Sequence, residues 1–253
     1  MARKQTPCQK IHSSTARHRR YFADLRALQS KIQAEGDRPQ LRTEMTFLKK
    51  KLTLTQAEIY RNIDALLNRE RGVLLATHSE GTELTPFREG RAWLRTKSGQ
   101  TYLVNSEGKK LPGFVLAEGD SVVVNFERHR AIIERDGRRY LLSIEGRVLS
   151  TEGFEKIQPD YPLYRARREP QRVGLLNTAG EVVTAEWYRA IKRFSRGKAL
   201  ALTQGKQFVF LNEEGRELWD RRFDGAKEFE NGLALVAVGS ERFYIDETGR
   251  RVS

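Results

Sequence analysis

The sequence predicts a segregated α+β protein, in which an N-terminal antiparallel helical hairpin or coiled coil precedes an all-β array. Two observations predict this class. In the first third of the chain, apolar residues recur at alternating steps of three and four, which is the seam of a coiled coil. A turn of the form Asn/Asp/Ser-x-x-Gly then recurs five times. Its spacing of about 35 residues indicates a repeat protein.

The hairpin is predicted from two apolar series separated by a break. The first series is Ile11, Ser14, His18, Tyr21, Leu25, Leu28 and Ile32. The second series is Leu41, Met45, Leu48, Leu52, Thr55, Ile59, Asn62 and Leu66. Gly36 is suited to end the first helix and Pro39 to begin the second. Whether residues 41–70 form one helix or two stays open, because Thr55 and Glu58 also fit a capping box.

Each recurring turn is predicted to be the second bend of a three-stranded antiparallel meander. Its first residue accepts hydrogen bonds from local amides, and its glycine adopts a positive φ. A partial repeat is expected over residues 72–84. The full repeats are expected over residues 87–111, 126–149, 159–183, 194–218 and 229–252. Units of this size are compatible with a propeller-like arrangement or with an open β-solenoid.

Aromatic residues recur in register with the turns, which is most simply explained by packing between units. Those that follow a turn glycine by eight residues are Phe154, Tyr188 and Phe223. The third repeat departs from the pattern, because it lacks a Phe-x-x-Gly lead-in and is rich in proline. This departure is typical of an edge, a bulge or a place where a partner approaches.

The fifth repeat has the clearest family signature. Phe229-Glu-Asn-Gly-Leu-Ala234 precedes a hairpin and then Phe243-Tyr-Ile-Asp-Glu-Thr-Gly249. This pattern resembles the WG-repeat (KWG) family of bacterial proteins, over residues of about 73–253. The chain departs from the family at the glycine after an aromatic-rich hairpin, which only Gly174 retains. The resemblance implies a β-repeat module attached to varied partner domains, and it implies no catalytic motif.

The charge distribution also divides the chain in two. Residues 1–72 hold 16 Lys/Arg against 7 Asp/Glu, a net charge of +9, whereas residues 73–253 hold 30 against 26, a net charge of +4. We therefore expect a basic helical domain over 1–72 and a β-repeat domain over 73–253. The basic domain indicates an anionic partner, unless its cations only solvate a helical face.

Two basic runs in the hairpin form the candidate site for nucleic acid or another anion. If the hairpin turns near residue 37, residues whose numbers add to roughly 74 lie opposite each other. The two runs then come within a turn or two of one another, beside aromatic residues, and would contact phosphates. The candidate residues are Arg17, Arg19, Arg20, Lys49, Lys50 and Lys51.

The sequence shows no motif for catalysis, and we expect neither enzyme activity nor a cofactor. Cys8, His12 and His18 are residue types that bind metals, but structural zinc takes four ligands. We therefore predict no metal site. A single cysteine, no apolar leader and no long apolar run favour a cytoplasmic protein without a membrane partner.

These features favour a non-enzymatic adaptor. Its β array would bind a protein, and its basic helices would bind a second, anionic partner. The alternative is a nucleic-acid-associated subunit of a ribonucleoprotein or defence complex, which holds RNA or DNA through the helices. Homo-oligomerisation through the seam of residues 41–66 is a further alternative.

Overall fold

A computed structural model describes residues 7–35, 39–76 and 78–252 of the chain. The chain forms two compact units. The first unit runs from the N-terminus to Glu118 and includes Asn125–His129 and Ile144–Gly146. The second unit consists of the remaining residues. Neither helix in the described part of the chain is long and apolar enough to cross a membrane.

Two long helices, α1 (Pro7–Glu35) and α2 (Pro39–Ala76), confirm the predicted hairpin. Seven residues of the predicted seam form their shared core: Tyr21, Leu25, Leu28, Ile32, Leu41, Met45 and Leu48. Helix α2 begins at Pro39, where a missing backbone N–H costs no helical hydrogen bond. Gly36 lies outside the described residues.

Helix α2 is continuous where the sequence left open a break. Thr55 is buried, and its hydroxyl donates to the carbonyls of Lys51 and Leu52 at 3.0 Å each. This back-bonding satisfies the hydroxyl inside the helix, so Thr55 does not cap a new one.

The described residues after the hairpin form five small antiparallel sheets, as the predicted fold class requires. The first sheet contains β1 (Gly81–Leu84), β2 (Ala92–Thr96), β3 (Thr101–Val104) and β4 (Lys110–Leu116), and the second contains β5 (Ser121–Glu127), β6 (Arg130–Arg135) and β7 (Arg138–Ser143). The third sheet contains β8 (Lys156–Asp160), β9 (Leu163–Glu169) and β10 (Arg172–Leu176). The fourth contains β11 (Ala190–Ile191), β12 (Lys198–Leu202) and β13 (Phe208–Asn212). The fifth contains β14 (Gly225–Ala226), β15 (Leu233–Val238), β16 (Glu241–Asp246) and β17 (Arg251–Val252).

The recurring turn forms as predicted. Asn177 Oδ1 accepts the amides two and four residues further on, at 2.9 and 3.0 Å, and the Asn177 carbonyl accepts the amide of Gly180 at 3.0 Å. The same bonds form at Asn105, Asn212 and Asp246. The closing glycines of all five turns have φ between 77° and 84°, a region that glycine enters without steric cost.

The recurring aromatic residues pack between successive sheets, which confirms the structural interpretation of their spacing. Phe154 is 1% exposed and packs with Leu141 of the second sheet and Ile157 of the third. Tyr188 and Phe223 are fully buried in the next two clusters along the chain. From the second sheet to the fifth, each pair of neighbouring sheets therefore shares one small core.

The meander differs from the prediction in its third strand. After the turns of the second, third and fourth repeats, only single bridges form, at Val148, Val182 and Glu217. The chain then passes its core aromatic and forms a strand that was not predicted, namely β8, β11 or β14, which pairs with the next repeat. Burial of the aromatic between two sheets brings the chain to the second of them, where a new partner strand is available.

The structure of residues 72–84 also differs from the partial repeat that was predicted there. Residues 72–76, expected to be a strand, are the last residues of α2. Leu74 and Leu75 pack from this helix against the core of the first sheet, which includes Phe87. A helix buries the apolar run on one face, so no strand partner is needed, and only β1 forms as a strand.

The third repeat is irregular, as predicted. A cis peptide bond between Tyr161 and Pro162 lies in its first turn, where the first, fourth and fifth repeats have Phe-x-x-Gly. The pairing of β10 with β9 shifts register between Arg172 and Val173, which is a β-bulge. The bulge is one of the alternatives that the prolines indicated.

Candidate functional site

Two side-chain contacts align the helices of the hairpin. Arg17 Nη2 lies 2.9 Å from Glu58 Oε1, and His18 Nδ1 shares a hydrogen bond of 3.0 Å with Thr55 Oγ1. The residue numbers of these pairs add to 75 and 73, which agrees with the antiparallel alignment expected from the sequence.

The predicted anion-binding residues have different environments. Arg17 is paired with Glu58, whereas Arg19, Arg20, Lys49 and Lys50 are exposed. Lys51 is half-buried, with Nζ 5.2 Å from the centre of the Phe47 ring. In the observed alignment, the basic residues 17–20 of α1 and 49–51 of α2 are offset from each other along the hairpin by about one to two helical turns. Anion binding by these six residues stays a prediction.

Helix α2 holds the first tight turn of the β repeats. The amides of Glu89 and Gly90 donate to Asp64 Oδ2 and Oδ1, both at 2.8 Å. One helical turn away, Asn68 Oδ1 accepts the amide of Phe87 at 2.7 Å. The two central residues of the turn have φ of 50° and 72°, as a type I′ turn requires. Burial raises the pKa of Asp64 above its usual value, although these two amides favour the charged form.

Glu89 connects this turn to the corresponding turn of the next repeat. Its carboxylate accepts the amides of Arg128 and His129 at 2.9 and 2.6 Å, and it lies 3.5 Å from His129 Nδ1. Burial favours a higher pKa for Glu89, but the hydrogen bonds and charge of His129 outweigh it and lower this pKa overall. The Tyr60 ring meets the His129 ring edge-on, with centroids 5.2 Å apart.

A groove of about 630 Å³ lies between the hairpin and these turns, within the first unit. Its apolar lining consists of Phe22, Leu52, Leu54 and Ala57. Its polar lining consists of His18, Thr53, Gln56, Glu89, Glu127, Arg128 and His129. Phe22 is 46% exposed and Leu54 is 56% exposed. An exposed apolar centre with a polar rim is the usual anatomy of a protein interface.

The helices give this groove positively charged surroundings. Helices α1 and α2 together contain 13 Lys/Arg and 6 Asp/Glu, a net charge of +7. Such a surface attracts acidic partners and increases their rate of association.

The described residues contain no group of three or more side chains that could hold a metal ion. His18 is engaged with Thr55. The side chains of Cys8 and His12, the other metal-binding types considered from the sequence, lie outside the described residues.

Sequence reasoning missed the pairing of Glu89 with His129. The available signal was the lead-in turn itself, because Glu89-Gly90 and Arg128-His129 occupy the same position in consecutive repeats. Equivalent turns of stacked repeats lie next to each other. An alignment of the turns would therefore have placed an acidic side chain beside a histidine.

Comparison with protein families gives a match to the WG containing repeat at residues 210–240. This segment extends from the end of the fourth repeat through β15 and includes the turn that begins at Asn212. The match confirms the resemblance to the WG-repeat family that the sequence indicated. Comparison with curated proteins gave no match.

Several solved structures are similar to about two thirds of the chain. BamB from Moraxella catarrhalis is 13% identical, with a TM-score of 0.25, over 65% of this chain and 70% of that one. The WD40 β-propeller domain of Doa1 is 12% identical, with a TM-score of 0.29, over 65% and 64%. Hsv2 from Kluyveromyces lactis is 10% identical, with a TM-score of 0.30, over 67% and 62%. The chain thus spans less than two thirds of the latter two chains.

Proposed function

We propose that the protein is a non-enzymatic binding adaptor whose hairpin groove receives an acidic, amphipathic segment of a partner protein. A β-repeat fold suggests a protein-interaction scaffold, and in this proposal the array is the second binding element. The observation that carries the proposal is the groove beside Phe22 and Leu54, where exposed apolar side chains lie in a positively charged surface.

The apolar lining favours a protein segment over a small polar ligand. Burial of apolar surface contributes about 25 cal/mol per Å², so covering Phe22 and Leu54 is favourable. An amphipathic helix that places its apolar face in a groove is a common mode of peptide recognition. Acidic residues on the other face of such a helix would complement the charge of α1 and α2.

The rim of the groove is held in place before any partner binds. Asp64 fixes the turn of Glu89, and Glu89 in turn fixes the turn of His129 through backbone amides. Since these residues need no reordering on binding, the entropy cost of association is reduced.

A second candidate function is the binding of single-stranded nucleic acid, and one observation favours it. Arg26 Cζ lies 4.9 Å from the centre of the Phe22 ring, and Lys51 Nζ lies 5.2 Å from that of Phe47. Both rings are about half exposed. Exposed aromatic rings beside cations are the usual means of holding unpaired bases and their phosphates.

The test uses the full chain as bait in extracts of its native cells, with and without nuclease treatment, followed by binding measurements with the purified partner. Leu54→Glu places an acid in the groove, and we expect it to weaken binding by about tenfold or more. Phe47→Glu is the matched control, because Phe47 is 55% exposed but does not line the groove.

Equal affinity of the wild type and Leu54→Glu would refute the groove as the binding site. If nuclease treatment removes the captured material, and charge reversal at Lys49, Lys50 and Lys51 abolishes binding of RNA or DNA, the nucleic-acid function replaces the adaptor function.

A further inference from the structure

The third sheet has a second, chemically different cavity, which lies within the second unit. Its volume is about 220 Å³, and it lies beside β8 and the start of the fourth sheet. A cavity of about 460 Å³ adjoins it and shares Gln158 and Arg165 with it. The cations that line the two cavities are Arg139, Lys156, Arg165, Arg167, Arg189 and Arg193. Among the described residues, no acidic side chain lines either cavity.

The strand register places the polar lining on one face. Lys156 is opposite Arg167 and Gln158 is opposite Arg165 in the antiparallel pair of β8 and β9. Because side chains alternate between faces along a strand, all four lie on the same side of the sheet. The intervening Ile157 lies on the opposite face, in a buried core cluster.

Three of the cations are held by carboxylates outside the cavity lining. Arg139 Nε lies 3.1 Å from Glu134 Oε2. Arg165 Nε lies 2.9 Å from Asp160 Oδ2, and Arg165 Nη1 donates to the carbonyl of Ile191 at 3.0 Å. Arg167 Nε lies 2.8 Å from Glu155 Oε2. These contacts position the three guanidinium groups at the two cavities before any ligand enters.

Three cations have no such partner. Within the described residues, no ion pair and no side-chain hydrogen bond involves Lys156, Arg189 or Arg193. Lys156 and Arg189 are half-buried, whereas Arg193 is exposed. Neighbouring cations that are partly removed from water repel each other, so this arrangement favours an anionic ligand between them.

We infer that this cavity binds a phosphoryl group through Lys156 and Arg189, with Arg165 and Arg167 behind them and the Gln158 amide as a neutral donor. A phosphoryl group carries up to two negative charges and three acceptor oxygens, which matches several cations better than a single carboxylate does. Because the cavity is smaller than the 300–1,000 Å³ typical of drug-sized ligands, it has room for the phosphoryl group and a short attached moiety. The site is separate from the hairpin groove, and it does not depend on the function proposed for that groove.

The test is isothermal titration of the full chain at low salt with phosphate, pyrophosphate, phosphoserine and acetate. Saturable binding of phosphate or its esters is expected, with weaker binding of acetate. Lys156→Gln combined with Arg189→Gln should weaken binding by about tenfold for each cation removed. Neither side chain has a partner among the residues that the structure describes, so the variant should fold. Lys227→Gln, in the fifth sheet, is the control for a loss of positive charge elsewhere.

Tighter binding of phosphoserine than of pyrophosphate would support a phosphorylated side chain as the ligand, and the reverse order would support a free phosphorylated compound. The inference is overturned if no phosphate ligand saturates, if acetate binds as tightly, or if the double variant binds like Lys227→Gln. Binding of long oligonucleotides alone would overturn it as well, because it would indicate a diffuse charged surface and no discrete site.

Discussion

The third sheet and the two sheets that follow it share one backbone plan, but they differ on one face. Each of these sheets begins just after its core aromatic, which is Phe154, Tyr188 or Phe223. The second residue after the aromatic is Lys156 in the third sheet, Ala190 in the fourth and Gly225 in the fifth. The residues paired with these positions are Arg167, Leu202 and Ala237, respectively. Two positions further along β8, Gln158 is paired with Arg165. The corresponding pairs in the fourth and fifth sheets are Lys192 with Leu200 and Lys227 with Leu235.

A second difference accompanies the first. Asp160 pairs with Leu163 at the end of β8, and the residues at this position in the fourth and fifth sheets are Ser195 and Glu230. Asp160 is buried and pairs with Arg165, so the third sheet has an ion pair where the other two sheets have Leu200 or Leu235 in place of the arginine. The recurring residues therefore build the array, and the residues by which one repeat departs from the others are the candidates for specific binding.

The largest expected effect concerns this ion pair. Arg165→Leu introduces the residue that the other two sheets have, but it leaves the buried Asp160 carboxylate without its partner. We expect the free energy of unfolding to fall by about 3 kcal/mol, measured by urea denaturation. Asp160→Ser together with Arg165→Leu introduces Ser195 and Leu200 of the fourth sheet at the equivalent positions and removes both charges. This double variant should recover all but about 1 kcal/mol.

The control for this conversion is Arg172→Leu in the same sheet. Arg172 forms an exposed ion pair with Glu169, so its loss should change stability by less than about 0.5 kcal/mol. If the double variant is no more stable than Arg165→Leu alone, the third sheet is not an interchangeable version of its neighbours.

An intermediate effect is expected from two glycines that share a φ of 84° but differ in their surroundings. A Cβ at Gly232 would meet nothing within 4 Å, whereas one at Gly180 would lie 2.6 Å from the backbone carbon of Leu149. Gly232→Ala should cost about 1 kcal/mol through backbone strain alone. Gly180→Ala should cost about 2 kcal/mol in total, because the two backbones must also separate. Equal losses in urea denaturation would show that the turn of the third repeat does not depend on close contact with the preceding repeat.

The smallest effect concerns Asp246, the acidic first residue of the recurring turn in the fifth repeat. The third repeat has Asn177 at the same position. A hydrogen bond from the Thr248 hydroxyl, followed by amides of Arg250 and Thr248, lowers the pKa of Asp246 below its usual 3.8. The folded pKa is below the unfolded one, so the stabilisation is present above the unfolded pKa and is lost as pH falls through the folded value. Asp246→Asn keeps the acceptor oxygen and removes the titration. Its urea midpoint should therefore fall less than that of the wild type between pH 6 and pH 3, and identical profiles would contradict this assignment.

The sequence predicted those parts of the fold whose causes are local. The hairpin seam and the Asn/Asp/Ser-x-x-Gly turns follow from spacing and side-chain chemistry within a few residues. Strands β8, β11 and β14 were missed because their pairing partners belong to the next repeat and depend on the burial of Phe154, Tyr188 or Phe223. Residues 72–76 were misassigned because a short apolar run fits a strand or a helix equally well until its packing partner is known.

The candidate site was less accessible from the sequence than the fold. Composition indicated that the hairpin is basic, and spacing aligned its helices correctly. The groove, however, requires the turn of His129 to lie near Phe22, and this contact joins residues more than a hundred positions apart. The cavity of the third sheet was indicated only as a proline-rich irregularity, because its arginines stand out only when the repeats are aligned on their core aromatics.

Because β8, β11 and β14 pair with the repeat that follows them, each sheet begins and ends at different residues from the repeat seen in the sequence. A chain shortened or extended at the turn glycines would separate Tyr188 from the sheet that it completes. A cut just after Phe154 and another just after Tyr188 would instead remove the whole third sheet together with the aromatic residue that follows it. Growth of such an array by duplication therefore preserves packing only when the copied segment begins beside the buried aromatic.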